Sequence, residues 1–193
     1  MIVLSRFTKL PTSIPDLYII EPTVFGDNRG FFMETYSVKE FHEIGFDIDF
    51  VQDNHSRSKK GTLRGLHFQK EFPQAKLVRV IKGEVYDVAV DIRKDSATFG
   101  KWFGVILSEE NKKQFFIPAG FAHGFLALTD IVEFTYKCSD YYHPEDEGGI
   151  IWSDSEISIE WPLEKYGIDE PLLSEKDRRW PTLEEHKFSR LED

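Results

Sequence analysis

The chain has 193 residues and a formal net charge of −10, because 34 Asp and Glu outnumber 24 Lys and Arg. This length suits one domain, and a hydrophobic share of 40% excludes a chain that is disordered throughout. The acidic balance argues against a nucleic-acid partner, and the single Cys138 excludes an internal disulfide framework and a multi-cysteine zinc site.

The N-terminal residues 1–9 contain no apolar core of signal-peptide length. No apolar run in the chain reaches the roughly 20 residues that a membrane span requires. We therefore expect a cytoplasmic protein that has no membrane segment.

Short strand-like runs, separated by turn signals, then follow one another along the chain. Residues 27–30 form a turn signature, and residues 38–44 predict a short helix that ends at Gly45. The runs on either side of Lys82-Gly83 predict a β-hairpin. The predicted strands span 17–20, 31–36, 50–55, 62–69, 77–81, 85–92, 102–107, 114–117, 124–128, 132–138 and 150–152. This spacing indicates an antiparallel sandwich or barrel.

The C-terminal segment 162–193 is polar and interrupted by prolines. It predicts a loop and a short helix that pack on the barrel, so that residues 1–193 form a single domain. Ser174 and Asp177 have the spacing of a capping box at a helix start. Because Asp177 stands where Glu or Gln is usual, another role for it stays open.

The strand predicted over 62–69 carries Arg64 and His67 among apolar residues, and Lys76 follows it. Histidine is the usual general base near neutral pH, although a core histidine bonded to the backbone fits the pattern equally well. In an ideal strand Arg64 and His67 point to opposite faces. A β-bulge at Gly65 would bring both side chains to one cavity.

Other polar side chains on predicted strands admit a binding or a structural role. Gln52 and Asn54 share one face and present amides, as an edge strand or loop also would. Tyr136 shares a face with Phe134 and Cys138, which is typical of packing, and it becomes an acid only where its hydroxyl enters a cavity. Cys138 has no neighbouring base on its strand, so we expect it to be buried and inert.

The stretch 117–125, with Gly120 and His123, resembles the second motif of the cupin barrels, in which this histidine is commonly a metal ligand. The first cupin motif needs His-x-His, whereas this chain has His67-Phe68-Gln69. We therefore predict an all-β, cupin-like antiparallel jelly-roll barrel with short peripheral helices and no catalytic metal.

Taken together, several long segments resemble the dTDP-4-dehydrorhamnose 3,5-epimerase family of nucleotide-sugar enzymes. The match runs over about 27–161 and resumes at 172–181. The segments that carry it are DNRGFFMETY at 27–36, VQDNHSRSKKGTLRGLHFQ at 51–69, KLVRVIKGEVYDVAVDIRKDSATFGKW at 76–102, IPAGFAHGFLAL at 117–128 and WSDSEISIEWP at 152–162.

The resemblance implies epimerisation of dTDP-4-dehydro-6-deoxy-D-glucose at C3 and C5 without a cofactor. His67 would remove a proton, Asp177 would orient it, Tyr136 would return a proton, and Lys76 would stabilise the enolate. The positions that match substrate-binding residues are Arg29, Glu34, Gln52, Asp53, Asn54, Arg64, His123, Tyr142, Glu147 and Lys176. Tyr142 matches the aromatic residue that stacks on thymine. The resemblance also implies a homodimer in which the N-terminal strand around 25–32 reaches the partner.

Three alternatives stay open. A single-carbon epimerase on a related 4-keto nucleotide sugar would keep the fold and the base, and the presence of Tyr136 favours the double reaction. A metal-dependent cupin oxygenase or isomerase would need the missing His-x-His. A non-catalytic sugar-nucleotide-binding protein would not need His67, Asp177 and Tyr136 together.

Overall fold

The computed structural model describes residues 6–189, with side chains described through residue 186. Within these residues the chain forms strands, two short α-helices, α1 (Val38–Glu43) and α2 (Leu183–Ser189), and the 3-10 helices Pro144–Asp146 and Glu164–Tyr166. The strands are β1 (Phe7–Pro11), β2 (Tyr18–Pro22), β3 (Val24–Asp27), β4 (Gly30–Met33), β5 (Gln52–Lys59), β6 (Leu63–Gln69), β7 (Lys76–Lys82), β8 (Glu84–Asp91), β9 (Trp102–Ser108), β10 (Gln114–Ile117), β11 (Phe121–Ala127), β12 (Ile131–Cys138) and β13 (Glu147–Gly149).

Two antiparallel sheets face each other. One has six strands in the order β1-β2-β10-β7-β12-β5, and the other has five in the order β13-β6-β11-β8-β9. Strands β3 and β4 form a separate hairpin around the predicted turn. The predicted antiparallel jelly-roll barrel is therefore confirmed, because many strands pair within their sheet with strands that are distant in the chain, such as β5 with β12 and β6 with β11.

The main core lies between the two sheets. Val78 and Phe134 project into it from the six-stranded sheet, and Val85, Ala89 and Phe125 project into it from the five-stranded sheet. Because side chains alternate along a strand, each strand turns only one set of residues inward. Full burial of such a side chain stabilises the fold by about 1.5–3 kcal/mol.

The predicted hairpin around Lys82-Gly83 is wrong. Strand β7 belongs to the six-stranded sheet and β8 to the five-stranded sheet, so the turn carries the chain from one sheet to the other. Gly83 adopts a φ of +79°, and a Cβ atom there would overlap Thr129 and Ile131. Both strands bury a face between the sheets, which a crossing connection permits.

Two strand boundaries also differ from the prediction. The strand predicted over 31–36 ends at Met33, and residues 150–152 are not a strand. The pairing with β6 comes instead from β13, although Ile150 still exchanges two backbone hydrogen bonds with Leu66, at 3.0 and 3.1 Å.

The predicted bulge at Gly65 is confirmed. His67 pairs with His123, and Arg64 pairs with Phe125. Between these two pairs β6 contains one residue more than β11. Gly65 has a φ of +130°, and a Cβ atom there would lie 2.6 Å from Cα of Gly124. The extra residue shifts the register between Arg64 and His67, but the two side chains do not share one cavity as expected, because His67 lines the cavity between the sheets and Arg64 is exposed outside it.

The C-terminal segment packs against the barrel. Leu183 is fully buried in a cluster outside the five-stranded sheet, and Asp154 accepts a hydrogen bond from its backbone N–H at 2.8 Å. The helix start predicted at Ser174 is wrong, because residues 174–180 form a turn and α2 begins at Leu183. The capping box is formed by Thr182 and Glu185, which bond to each other's backbone N–H.

Candidate active site

A cavity of about 340 Å³ opens between the two sheets at one end of the barrel. Seven of the predicted catalytic and substrate-binding residues line it. They are Gln52, Asn54, His67, Lys76, Tyr136, Tyr142 and Glu147. Phe68, Gln69, Gln74 and Cys138 complete the lining. Polar side chains from several strands converge on this concave space, as they do at ligand sites.

The reactive side chains of the cavity come from two opposite walls, one in each sheet. Tyr136 on β12 and Lys76 on β7 belong to the six-stranded sheet, and His67 on β6 belongs to the five-stranded sheet. Gln52 and Asn54 lie beside Cys138 and Tyr136, their partners in the β5–β12 ladder. A flat ring inside this cavity would therefore have different groups on its two faces.

His67 is held from behind by Asp177. Nε2 of His67 lies 2.5 Å from Oδ1 of Asp177, whose side chain is buried. In a neutral imidazole this contact makes Nε2 the protonated nitrogen and leaves Nδ1 as the base. Burial raises the pKa of Asp177, but hydrogen bonds from His67 and Ser174 outweigh it, and the pKa is lowered overall.

Tyr136 and Lys76 are both half-buried in the wall of the cavity. Burial raises the pKa of Tyr136 and keeps its phenol protonated, while the charge of Arg64 opposes this. Burial lowers the pKa of Lys76, and Cys138, Asp87 and Glu147 oppose that shift. The two carboxylates, Asp87 and Glu147, thus favour the ammonium form of Lys76, but burial outweighs them and the pKa of Lys76 is lowered overall.

Tyr142, Glu147 and Lys176 form a linked group at the cavity. The hydroxyl of Tyr142 donates to Oε2 of Glu147 at 2.7 Å, and Lys176 forms an ion pair with the same oxygen. The hydrogen bond to Glu147 raises the pKa of Tyr142 to about 12. Burial raises the pKa of Glu147, yet bonds from Lys176 and Tyr142 lower it overall.

The family model described as dTDP-4-dehydrorhamnose 3,5-epimerase matches residues 11–185. The chain belongs to this epimerase family. It is therefore an isomerase, and its fold is the cupin-like jelly roll of the family's solved structures.

Individual relatives agree with this membership. The dTDP-4-dehydrorhamnose 3,5-epimerase of Methanothermobacter thermautotrophicus is 55% identical, over 95% of this chain and 98% of the relative. The Legionella pneumophila dTDP-6-deoxy-D-glucose-3,5-epimerase, solved with dTDP-4-keto-L-rhamnose, is 52% identical with a TM-score of 0.88, over 92% and 93% of the two chains. A 3′-monoepimerase of Streptomyces bikiniensis, solved with dTDP-quinovose, is 35% identical with a TM-score of 0.87, over 94% and 91%.

The epimerase also contains a buried pair of hydrogen-bonded residues, His123 and Asp87. The sequence analysis predicted His123 as a site residue but not Asp87. Nε2 of His123 lies 2.9 and 3.1 Å from the two carboxylate oxygens of Asp87, which is fully buried. Burial lowers the pKa of His123 and raises that of Asp87, and each partner opposes the other's shift. His123 is the cross-strand partner of His67 but does not line the cavity. A charged residue within the Val-rich strand β8 was the available signal for Asp87.

Besides His123 and Lys176, four further predicted binding residues of the epimerase do not line the cavity. Arg64 is exposed, and its Nε donates to Ser58 at 3.2 Å. Asp53 pairs with Lys137 on the outer face of the sheet, because it alternates with Gln52 and Asn54 along β5. Arg29 pairs with Asp27 at the tip of the β3–β4 hairpin, and Glu34 pairs with Arg6.

The described part of the epimerase contains neither a cluster of metal-binding side chains nor a membrane-spanning helix. Among residues 6–189, no group of three or more His, Cys, Asp and Glu side chains is arranged to hold a metal ion. In the same residues, no helix is long and apolar enough to cross a membrane.

Proposed function

We propose that this chain converts dTDP-4-dehydro-6-deoxy-D-glucose into dTDP-4-dehydro-L-rhamnose by inversion at C3 and C5. One observation carries the proposal. His67, backed by Asp177, and Tyr136 line opposite walls of one cavity that Lys76 also lines. Inversion at a carbon requires loss of a proton on one face and gain on the other, so a base and an acid must flank the ring.

In the proposed reaction Nδ1 of His67 takes the proton next to the C4 ketone. The C–H electron pair moves into the ring, and the C4 oxygen becomes an enolate oxygen that the Lys76 ammonium stabilises. The Tyr136 phenol then protonates the same carbon from the opposite face. The proton on His67 leaves to solvent and the Tyr136 phenolate takes one up, which restores both groups. C3 and C5 both flank C4, so one set of groups serves both inversions.

The other predicted site residues, from the cavity wall and from beside it, are proposed to bind the nucleotide. Tyr142 is half-exposed at the cavity and presents a flat ring for stacking on thymine. Gln52 and Asn54 present amides, and His123 supports the sugar end beside His67. Arg64 is exposed and is proposed to meet the diphosphate with its guanidinium. Glu147 and Lys176 hold one another and fix the position of Tyr142.

Arg29 and Glu34 are proposed to act in the cavity of a second copy. On the β3–β4 hairpin the relative solvent exposure of Phe25, Phe31 and Phe32 is 52, 59 and 62%. This is a large apolar surface for two four-residue strands. A homodimer in which this hairpin packs on the partner would bury these rings and deliver Arg29 to the neighbouring site. We also propose that the chain works as a single domain, since Asp177 from the C-terminal segment completes the dyad.

Proton NMR in D₂O tests the reaction. The full-length protein and a His67→Ala variant are each mixed with dTDP-4-keto-6-deoxyglucose, and deuterium incorporation is followed at both carbons. Incorporation at C3 and C5 that the variant abolishes is the expected result. The absence of exchange in the wild type, with dTDP binding retained, would overturn the proposal.

A single-carbon epimerase is the second candidate. The likeness to the 3′-monoepimerase of Streptomyces bikiniensis favours it, because the same fold at 35% identity there carries out a one-carbon reaction by its name. Deuterium incorporation at one carbon alone would select this candidate in the same experiment.

A further inference from the structure

The carboxylate of Asp177 is hydrogen-bonded on both of its oxygens. Oδ1 meets Nε2 of His67 at 2.5 Å, and Oδ2 accepts a hydrogen bond from the hydroxyl of Ser174 at 2.7 Å. Asp177 is only 4% exposed, so the protein supplies these partners in place of water. Hydrogen bonds to an ionised group are roughly twice as strong as neutral ones, which makes the contact from Ser174 a strong restraint on the carboxylate.

A second contact fixes the direction of the Ser174 hydroxyl. The backbone N–H of Asp177 donates to Oγ of Ser174 at 3.1 Å, so this oxygen is an acceptor there and keeps its own hydrogen for the carboxylate. The backbone N–H of Arg178 donates to the carbonyl of Ser174 at 3.2 Å and closes the turn. Ser174 thereby holds the main chain and the side chain of Asp177 in one orientation.

Trp180 covers the other side of the pair. Its indole N–H lies 3.4 Å from Oδ1 of Asp177, a long contact, and its ring meets the imidazole of His67 edge-on at 6.1 Å between centroids. The indole packs on Gly149, the cross-strand partner of His67, where a Cβ atom would overlap the ring. Only a glycine lets the indole lie this close to the strand.

We propose that Ser174 is a positioning residue, which orients Asp177 toward Nε2 of His67 while Trp180 packs behind the pair. The inference rests on the proposed function, because the orientation matters to catalysis only if His67 is the base. An aligned acceptor at Nε2 selects the imidazole tautomer whose Nδ1 is free to take a proton. Without the Ser174 hydroxyl, Oδ2 loses its donor and the carboxylate can rotate away from the imidazole.

Nitrogen-15 NMR of the imidazole rings tests this without any turnover. The chain has six histidines, and a His67→Asn variant assigns the signals of His67. The wild type should show neutral His67 as the single Nε2–H tautomer. Ser174→Ala should show a mixture of both tautomers, and Ser174→Thr, which keeps a hydroxyl, should restore the single form. A Ser174→Ala spectrum identical to that of the wild type would overturn the inference.

Kinetics provide the second readout. Ser174 does not line the cavity, so Ser174→Ala should lower kcat about 10-fold and leave KM nearly unchanged, with recovery in Ser174→Thr. Ser96→Ala is the matched control, since the Ser96 hydroxyl donates to the buried Asp91 at 2.6 Å in a separate cluster. It should change neither kcat nor the tautomer of His67.

The two readouts separate the two proposals. A wild type that fails to turn over the sugar nucleotide would overturn the proposed function, while the tautomer of His67 would still decide the role of Ser174. An active wild type and a Ser174→Ala variant of equal kcat would overturn the inference alone.

Discussion

Tyr136 and His67 enter one cavity from different sheets of the barrel, Tyr136 on β12 and His67 on β6. The strand that carries each side chain is therefore held by its own ladder of backbone hydrogen bonds. The packing of the two sheets sets the distance between the two walls of the cavity. A change in Tyr136 should therefore impair the return of the proton and spare its removal, whereas a change in His67 should stop both steps, because no enolate then forms for Tyr136 to protonate.

Tyr136→Phe should separate proton exchange from inversion. The ring keeps its packing but loses the acid, so His67 should still exchange the sugar protons with solvent, while inverted product falls by about 10²–10⁴-fold. Deuterium incorporation and product formation, followed in the same NMR sample, measure the two steps. Lys76→Met is the comparison, because loss of the enolate partner should lower both by about 10²–10³-fold. A parallel loss of both steps in Tyr136→Phe would show that the phenol does more than return the proton.

Glu147→Gln should lower the pKa of Tyr142 from about 12 toward the ordinary value of a tyrosine, 10.0. The reason is that a carboxylate which accepts the hydroxyl hydrogen disfavours the phenolate, and an amide has no charge to do so. Ultraviolet absorbance of phenolate, titrated between pH 8 and 13 against a Tyr142→Phe control, reports the shift. An unchanged titration would mean that Glu147 does not hold Tyr142 in solution.

Gly65→Ala should destabilise the fold by more than about 2 kcal/mol and reduce activity. Its φ of +130° disfavours a side chain, and the new methyl group would meet the backbone of Gly124. Urea unfolding measures the loss. Gly167→Ala is the control, since Gly167 has a φ of +62° with open space around it and should lose only about 1–2 kcal/mol. Equal losses in the two variants would argue against close packing at the bulge.

Two inactive variants should restore activity when they are combined, if the hairpin reaches a partner. Arg29→Ala and His67→Ala chains, unfolded and refolded together, would form mixed dimers with one intact site. Random pairing then predicts about a quarter of wild-type activity. Activity that stays at the level of the separate variants would place Arg29 in the site of its own chain or outside the reaction. Sedimentation of the wild type provides the oligomeric state independently.

Several features of the fold follow from the sequence because they depend on neighbouring residues. Alternation of apolar side chains marks the strands, the Asp27–Gly30 signature marks the turn between β3 and β4, and the glycine between Arg64 and His67 marks the position of the bulge. The same alternation separates Asn54, in the cavity, from the side chain of Asp53, on the outer face. The segments that resemble the family single out His67, Lys76 and Tyr136, which the structure brings to one cavity.

Other features were decided only by contacts between distant parts of the chain. The residues around Gly83 predict a hairpin, but a local pattern does not determine which strands pair. In the folded barrel β7 and β8 belong to different sheets. The spacing of Ser174 and Asp177 reads as a helix cap, yet Asp177 meets an imidazole 110 residues earlier in the chain. Strand periodicity is a property of consecutive residues and is therefore legible in sequence. The burial of Asp87 depends on how the two sheets pack in the folded barrel. The hydrogen bond from His67 to Asp177 likewise depends on how the C-terminal segment packs on the barrel.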